Sequence, residues 1–388
     1  MGNNLHAASS EWASRPADQR FWTLADLHDA CDASQRGSQV VRAKFSDLHA
    51  VANDGEVQIV GRSNTPAHLT HYAFGQLARS VGAPADYLRS LPSTVAANCL
   101  DLGLQKNADE NRLDRDLLFH KNGSLTLRAY LSERYNRVWD ADLITRVRVL
   151  EDEGWRVPAG LAPPGYKGPT RLSNPSDILP GQINIGAGQP IAPSGLYASD
   201  HDVFVFLVAP DRTIGSGTDT MMRGVFVRNS EVGDSSLVFT FFLMQAVCGN
   251  HIVWGAQGVK EVRVRHTGPN PLRKALREFS AELRIYKDGA AEEEKGLIAA
   301  KNLILGATEE EVIDALVKYA KSHSLNVLSK AKITEGYKTA VEHSDWYGNP
   351  RSLWANVAGL THASQQSPFA DDRETIDRAA GKLLQIAF

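Results

Sequence analysis

The chain is 388 residues long, 43% hydrophobic and 22% charged, with a formal net charge of -3. That length suits one large domain or two to three modest ones with ample core, and the slight acidity excludes a protein that coats nucleic acid through bulk charge, leaving only local basic patches for that task. Three cysteines, Cys31, Cys99 and Cys248, are too few and too scattered for a disulfide framework and point to a reducing cytoplasm.

Met1 to Arg20 is polar and rich in small residues, which predicts a loose arm. Thr23 to Cys31 reads as a short helix capped by Thr23. Asn53-Asp54-Gly55 is a tight-turn sequence beside a strand at Val57 to Val60. His71 to Val81 is an amphipathic helix stopped by Gly82 and Pro84, followed by helices at Ala85 to Leu91 and Ser93 to Lys106. Strands at Leu117 to Phe119 and Ser124 to Leu131 flank Lys121-Asn122-Gly123, where Asn-Gly supplies the positive φ of a hairpin turn. After a polar loop at Ser132 to Val138, Asp140 is positioned to cap a helix over Ala141 to Glu153.

Trp155 to Ile191, with PPGYKGP and Lys167 at its heart, is a loop or linker by composition. The apolar strand Val203 to Val208 is introduced by Ser199-Asp200-His201-Asp202. Consecutive strands then follow at Met222 to Arg228, Leu237 to Cys248, His251 to Trp254 and Lys260 to His266. In the last of these, period two puts Glu261, Arg263 and Arg265 on one face and Val262 and Val264 on the other. The run Leu237 to Cys248 is well short of the roughly 20 residues a membrane helix needs, and the start of the chain shows no basic-then-apolar leader pattern. A cytoplasmic location with no membrane partner is therefore expected.

From Pro271 onward helices dominate. Pro271 to Tyr286 carries a stripe of Leu272, Leu276, Phe279 and Leu283, and Thr308 to Ser322 begins with a Thr308/Glu311 capping box. Leu353 to His362 and Asp371 to Ile386 complete the series. The fold class expected is α+β, a largely antiparallel β-sheet core packed by helices with a mainly helical C-terminal third. The expected divisions are an arm (1–37), an α+β subdomain (38–154), a Pro/Gly-rich connector (155–191), a β-rich subdomain with its following helix (192–300) and a helical region (301–388).

Several segments together resemble a known family. They are FGQLARSVGAPADYLRSLP (Phe74 to Pro92), LRAYLSERYNRVWDADLI (Leu127 to Ile144), SDHDVFVFLV (Ser199 to Val208), NSEVGDSS (Asn229 to Ser236), VCGNHI (Val247 to Ile252) and RHT (Arg265 to Thr267). The family is that of the phage/plasmid-like proteins of the YfjQ/YafZ prophage type, a domain of unknown function. The resemblance implies a mobile-element setting, in which neighbouring genes often process DNA or oppose restriction, and it implies no mechanism.

Two stretches concentrate basic residues around predicted strands. Arg112 to Arg148 holds 8 basic against 5 acidic residues, and Ala256 to Lys287 holds 8 against 3. Arginine forks onto phosphate oxygens and aromatic rings stack on bases. The residues expected to contact nucleic acid are therefore Arg128, Arg134, Tyr135, Arg137 and Trp139 in the first stretch, and Arg263, Arg265, Arg273, Lys274 and Arg277 in the second. A solvated face of ordinary ion pairs is the competing explanation.

Cys248, His251 and His266 fall short of a zinc ligand set, and Gly186-Ala187-Gly188 and Gly215-Ser216-Gly217 make neither a Walker loop nor a Rossmann fingerprint. No cofactor and no metal are expected. Asp200 and Asp202 offer hard carboxylates for Mg²⁺ in a nuclease, or they simply mark a strand entrance. The leading expectation is a non-enzymatic binder of single-stranded DNA in replication or recombination, with a homo-oligomeric ring or filament as the assembly that would suit it. The alternatives are a Mg²⁺-dependent nuclease or hydrolase at Asp200/Asp202, and a protein-interaction factor such as an anti-defence or assembly protein.

Overall fold

The computed structural model describes residues 15–110, 114–157, 159–161, 190–193, 195–214, 221–245, 251–254, 261–288, 290–364 and 370–387. Helix α1 (Leu24–Arg36) precedes a six-stranded sheet built from β1 (Ser38–Ala43), β2 (His49–Asn53), β3 (Glu56–Val60), β4 (Pro66–Leu69), β5 (Arg115–Asn122) and β6 (Ser124–Ser132). The strand order is β1-β5-β6-β4-β3-β2, antiparallel throughout except for the β4–β6 pair. Helices α2 (His71–Ser80), α3 (Ala85–Ser90) and α4 (Ser93–Asp109) are inserted between β4 and β5. At the β2–β3 turn Asp54 has φ 49° and Gly55 φ 81°, the paired positive angles that match a two-residue hairpin to strand twist.

Two short helices, α5 (Asp140–Val147) and α6 (Val149–Asp152), lead to a small ribbon of β7 (Ala159–Leu161) and β8 (Pro190–Pro193). The second large sheet follows: β9 (Leu196–Ala198), β10 (Val203–Ile214), β11 (Met221–Asn229), β12 (Leu237–Gln245), β13 (His251–Trp254) and β14 (Val262–Val264). It is ordered β13-β12-β11-β10-β9, with β14 also pairing β12. Helices α7 (Pro271–Asp288), α8 (Ala290–Asn302), α9 (Glu309–Ser322), α10 (Lys330–Glu342), α11 (Ser344–Tyr347), α12 (Leu353–Ala363) and α13 (Ala370–Leu383) complete the chain. The fold is α+β, with antiparallel sheets packed by helices and a helical C-terminal region. Among the described residues no helix is long and apolar enough to cross a membrane.

The apolar run in β12 lacks alternation because both of its faces are covered. Phe239, Phe241 and Leu243 join Val205, Leu207, Val225 and Val227 in the main core, while Phe242 joins Phe206, Val208 and Phe226 on the opposite face. The first sheet has its own core, running from Ala43 to Tyr130 with the inner faces of α2 and α4. Leu24 and Leu27 of α1, and Val138 to Trp155, pack instead into the core of the second sheet. Trp155, at the start of the expected connector, is fully buried.

Local details depart from expectation in three places. Trp139, not Asp140, occupies the N-cap of α5; Asp140 lies in the first turn with its carboxyl buried, and the predicted helix divides at Arg148. Asp200 and Asp202 sit in the turn before β10, which starts at Val203, as their reading as a strand entrance expects. The helix from Leu24 continues to Arg36, beyond Cys31. Thr308 does cap α9, its Oγ1 accepting from the Glu311 N–H at 3.3 Å, but the Glu311 carboxylate accepts from Ala307, one residue before the cap. Lys167, Gly186-Ala187-Gly188, Gly215-Ser216-Gly217 and Cys248 lie outside the described residues, as do Met1 to Ser14 of the predicted arm.

Candidate nucleic-acid interface

The segment from β6 through α5 joins the two sheets, and it carries half of the basic residues of the first stretch. Arg128 lies on β6 between Leu127 and Ala129, and all three are buried. Its Nη1 meets Glu231 Oε2 at 3.0 Å, while Nε and Nη2 donate to the Asp200 carbonyl at 3.2 and 2.8 Å. The second Glu231 oxygen accepts from the Asp140 backbone N–H at 2.9 Å. Asn229 Nδ2 donates to Asp140 Oδ1 at 2.7 Å and to the Val138 carbonyl at 2.9 Å. Burial and the neighbouring Glu231 carboxylate raise the Asp140 pKa well above the usual carboxylate range, against the pull of the Asn229 hydrogen bond and Arg128. Arg128 is therefore engaged in holding the two sheets together.

A cleft of about 450 Å³ reaches this network, with Cys31, Ser34, His120, Arg128, Asp140 and Glu231 among its walls. Burial, reinforced by Asp140 and Glu231, pushes the Cys31 thiol far up, so it stays protonated and unreactive.

Tyr135 is also turned inward. Its ring stacks on His266 at a centroid separation of 5.0 Å, and its hydroxyl donates to the Ser230 carbonyl at 2.8 Å. The 2.7 Å contact from His266 Nδ1 to the same hydroxyl then requires the Nδ1–H tautomer. Burial, with Arg137 nearby, lowers the His266 pKa to about 4. Arg137 donates from Nε to the Glu231 carbonyl at 2.8 Å and lies 5.4 Å from the Trp139 ring and 5.8 Å from the Tyr135 ring. Its pKa is lowered by burial, yet an arginine remains cationic at neutral pH.

Beyond this clamp the two basic stretches meet. Arg137, Val138, Trp139, Asp142 and Arg146 form one wall of a cleft of about 690 Å³, and Pro271, Leu272, Arg273, Leu276, Arg277 and Ser280 form the other. That volume lies within the range of about 300–1,000 Å³ common to ligand clefts. Spacing explains each wall. Positions 139, 142 and 146 recur on one side of α5, and on α7 the pairs 272/276 and 273/277 form adjacent stripes one helical turn apart. The core face of α7 is Ala275, Phe279, Leu283 and Tyr286. Leu272 and Leu276, expected in the core stripe, are half-buried and line the cleft. Arg146, Arg273 and Arg277 are exposed, and no ion pair or side-chain hydrogen bond engages them among the described residues.

The remaining expected contact residues separate from this cleft. Arg134, Lys274 and Arg265 are exposed. Arg263 is exposed on β14 as its period predicts, but it binds Glu261 at 2.9 Å, and Arg378 pairs with the same carboxylate. Asp202 is held through both carboxylate oxygens by Arg15, at 2.9 and 2.6 Å. Asp200 contacts His201 Nδ1 at 2.7 Å. Burial works against ionised Asp202, but Arg15 outweighs it and lowers the pKa, while the His201 hydrogen bond lowers that of Asp200. Each carboxylate thus already has a cationic or imidazole partner. Among the described residues no group of three or more His, Cys, Asp or Glu is placed to hold a metal ion. Among the lining residues absent from the expected set are Arg146, Asp142, Leu272, Leu276 and Ser280. The signal for them was helical spacing from Trp139 and from Arg273.

Residues 186–372, just short of half the chain, match a family model described as Domain of unknown function (DUF932). The span takes in Glu231 and the α7 wall of the cleft, while Arg128 and the α5 wall precede it. No curated protein matches the chain. No solved structure matches it either.

Proposed function

We propose that this protein binds single-stranded nucleic acid without catalysing a reaction, in the cleft between α5 and α7. The observation that carries this reading is the convergence of Arg146, Arg273 and Arg277, exposed and free to fork onto phosphates, around a wall of Trp139, Leu272 and Leu276. Guanidinium groups track the backbone while aromatic and apolar surface receives the bases, and every base has a π-face to offer. Arg137 belongs to the reading as the cation fixed against Trp139, setting the ring's plane. Lys274, Arg134 and Arg265 add exposed positive charge on the same two segments. Arg128 and Tyr135 act indirectly, by holding the segment that presents the cleft. In this reading the protein serves a phage or plasmid element during replication or recombination.

The test is fluorescence anisotropy of labelled single- and double-stranded oligonucleotides across a salt series, with and without Mg²⁺. The native protein should favour the single strand with a steep salt dependence. The double variant Arg273→Glu/Arg277→Glu should bind far more weakly and with a shallower salt slope. Equal binding by that variant, with an unchanged unfolding midpoint, overturns the reading. Cleaved strands in the Mg²⁺ arm would point instead to the nuclease alternative, which has less support because Asp200 and Asp202 are each already engaged.

A further inference from the structure

Among the described residues that line it, the cleft holds a single carboxylate. Asp142 lines it from α5, exposed, on the same wall as Arg137 and Arg146 and opposite Arg273 and Arg277. A site that only neutralised phosphate would gain nothing from an anion on its wall, since like charges repel at short range. An ionised carboxylate is an acceptor with no donor. Beside an apolar wall that takes the face of a base, it has one complementary feature to meet on the base edge, an amino group. Cytosine presents its N4 amino group, adenine its N6 amino group and guanine its N2 amino group. Thymine presents carbonyl oxygens on either side of a lone imino N–H, and those oxygens repel a carboxylate.

We propose that Asp142 makes the cleft selective for bases bearing an exocyclic amine over thymine. The arginines then set affinity and salt dependence, while Asp142 sets base preference. This rests on the nucleic-acid reading of the same cleft. A carboxylate accepting from a base amine is a recognised mode of direct readout, and one such contact discriminates by about tenfold. The hydroxyl of Ser280, on the α7 wall, can both donate and accept, so it tolerates either base and does not cancel the preference.

The experiment measures the affinities of oligo(dC) and oligo(dT) of equal length at neutral pH and fixed salt, for the native protein, Asp142→Ala and Asp142→Asn. The native protein should bind oligo(dC) about tenfold more tightly. Asp142→Ala should equalise the two, chiefly by tightening oligo(dT) as the repulsion goes, and Asp142→Asn should fall between. The ratio of affinities is the readout, because removing a negative charge strengthens binding of any strand. Because Asp142 is exposed, its variants should keep the native unfolding midpoint. A native ratio near one, or a preference that survives Asp142→Ala, overturns this inference and leaves the binding reading standing. Failure of both strands to bind the native protein overturns the two together.

Discussion

Arg128 and Glu231 form an ion pair 3.0 Å long in which both side chains are almost completely buried, and it spans the two sheets. Arg128 belongs to β6 of the first sheet, and Glu231 follows β11 of the second. Removing one partner of such a pair strands the other charge away from water, at a cost of about 3–5 kcal/mol. Arg128→Met should lower the urea unfolding midpoint by a corresponding amount. The double variant Arg128→Met/Glu231→Leu should regain part of the loss, because no charge is then left unpaired, though the Asp140 N–H loses its acceptor. A single variant as stable as the native chain would show that the junction is not held there.

His266 makes the same junction sensitive to acid. Its folded-state pKa of about 4 lies below the value of 6.5 expected when unfolded, so the unfolded chain binds the extra proton first. The sign follows: stability is whole above about pH 6.5 and is lost as pH falls toward 4, by roughly 3 kcal/mol from this group alone. His266→Gln keeps a donor for the Tyr135 hydroxyl but cannot titrate. Urea unfolding at pH 7 and near pH 4.5 should show a smaller drop for that variant than for the native protein. Equal drops would remove His266 as the cause.

Trp139 tests the stacking half of the cleft. Loss of one base–aromatic stack is worth about 1–3 kcal/mol, so Trp139→Ala should weaken single-strand binding by about 5- to 150-fold. Trp139→Phe should keep most of the affinity. Unlike the arginine variants, neither should change the slope of affinity against salt, because no phosphate contact is removed. Anisotropy titrations at several salt concentrations check both statements.

Gly359 tests the helical region. It lies on α12 where that helix crosses α10, and a Cβ added there would run into the Gly336 carbonyl and meet the Ala340 backbone N at 3.0 Å. Backbone cannot swing aside as a side-chain tip can. Gly359→Ala should therefore destabilise by about 1–3 kcal/mol despite adding a single methyl group, read as a lower thermal midpoint. A midpoint at or above the native one would mean that the crossing has slack.

Much of the local architecture was legible from residue order. The Asp54-Gly55 turn, the hairpin at Gly123 (with positive φ at the glycine alone), the cap at Thr308 and the alternation of Val262, Arg263 and Val264 all depend on neighbours within a few residues, and all appear in the structure. The site was legible in part. The two basic stretches were visible as composition, and Trp139, Arg273 and Arg277 were among the expected contacts that meet at one cleft. Arg128 and Tyr135 looked the same as these by residue type and setting, yet they face inward.

What the sequence determined by itself was the α+β class, most strands and helices, and the existence of local positive charge. These follow from hydrophobic period, turn chemistry and capping, which act over a few residues. Only the tertiary structure decided which arginines reach solvent, that α1 and α5 join the second core, and that α5 and α7 enclose one cleft. Those outcomes hang on partners distant in the chain: Glu231 captures Arg128, and His266 captures Tyr135. A guanidinium carries no record in its neighbours of which carboxylate will find it, because ion pairing depends on distance in space and periodicity on distance along the chain.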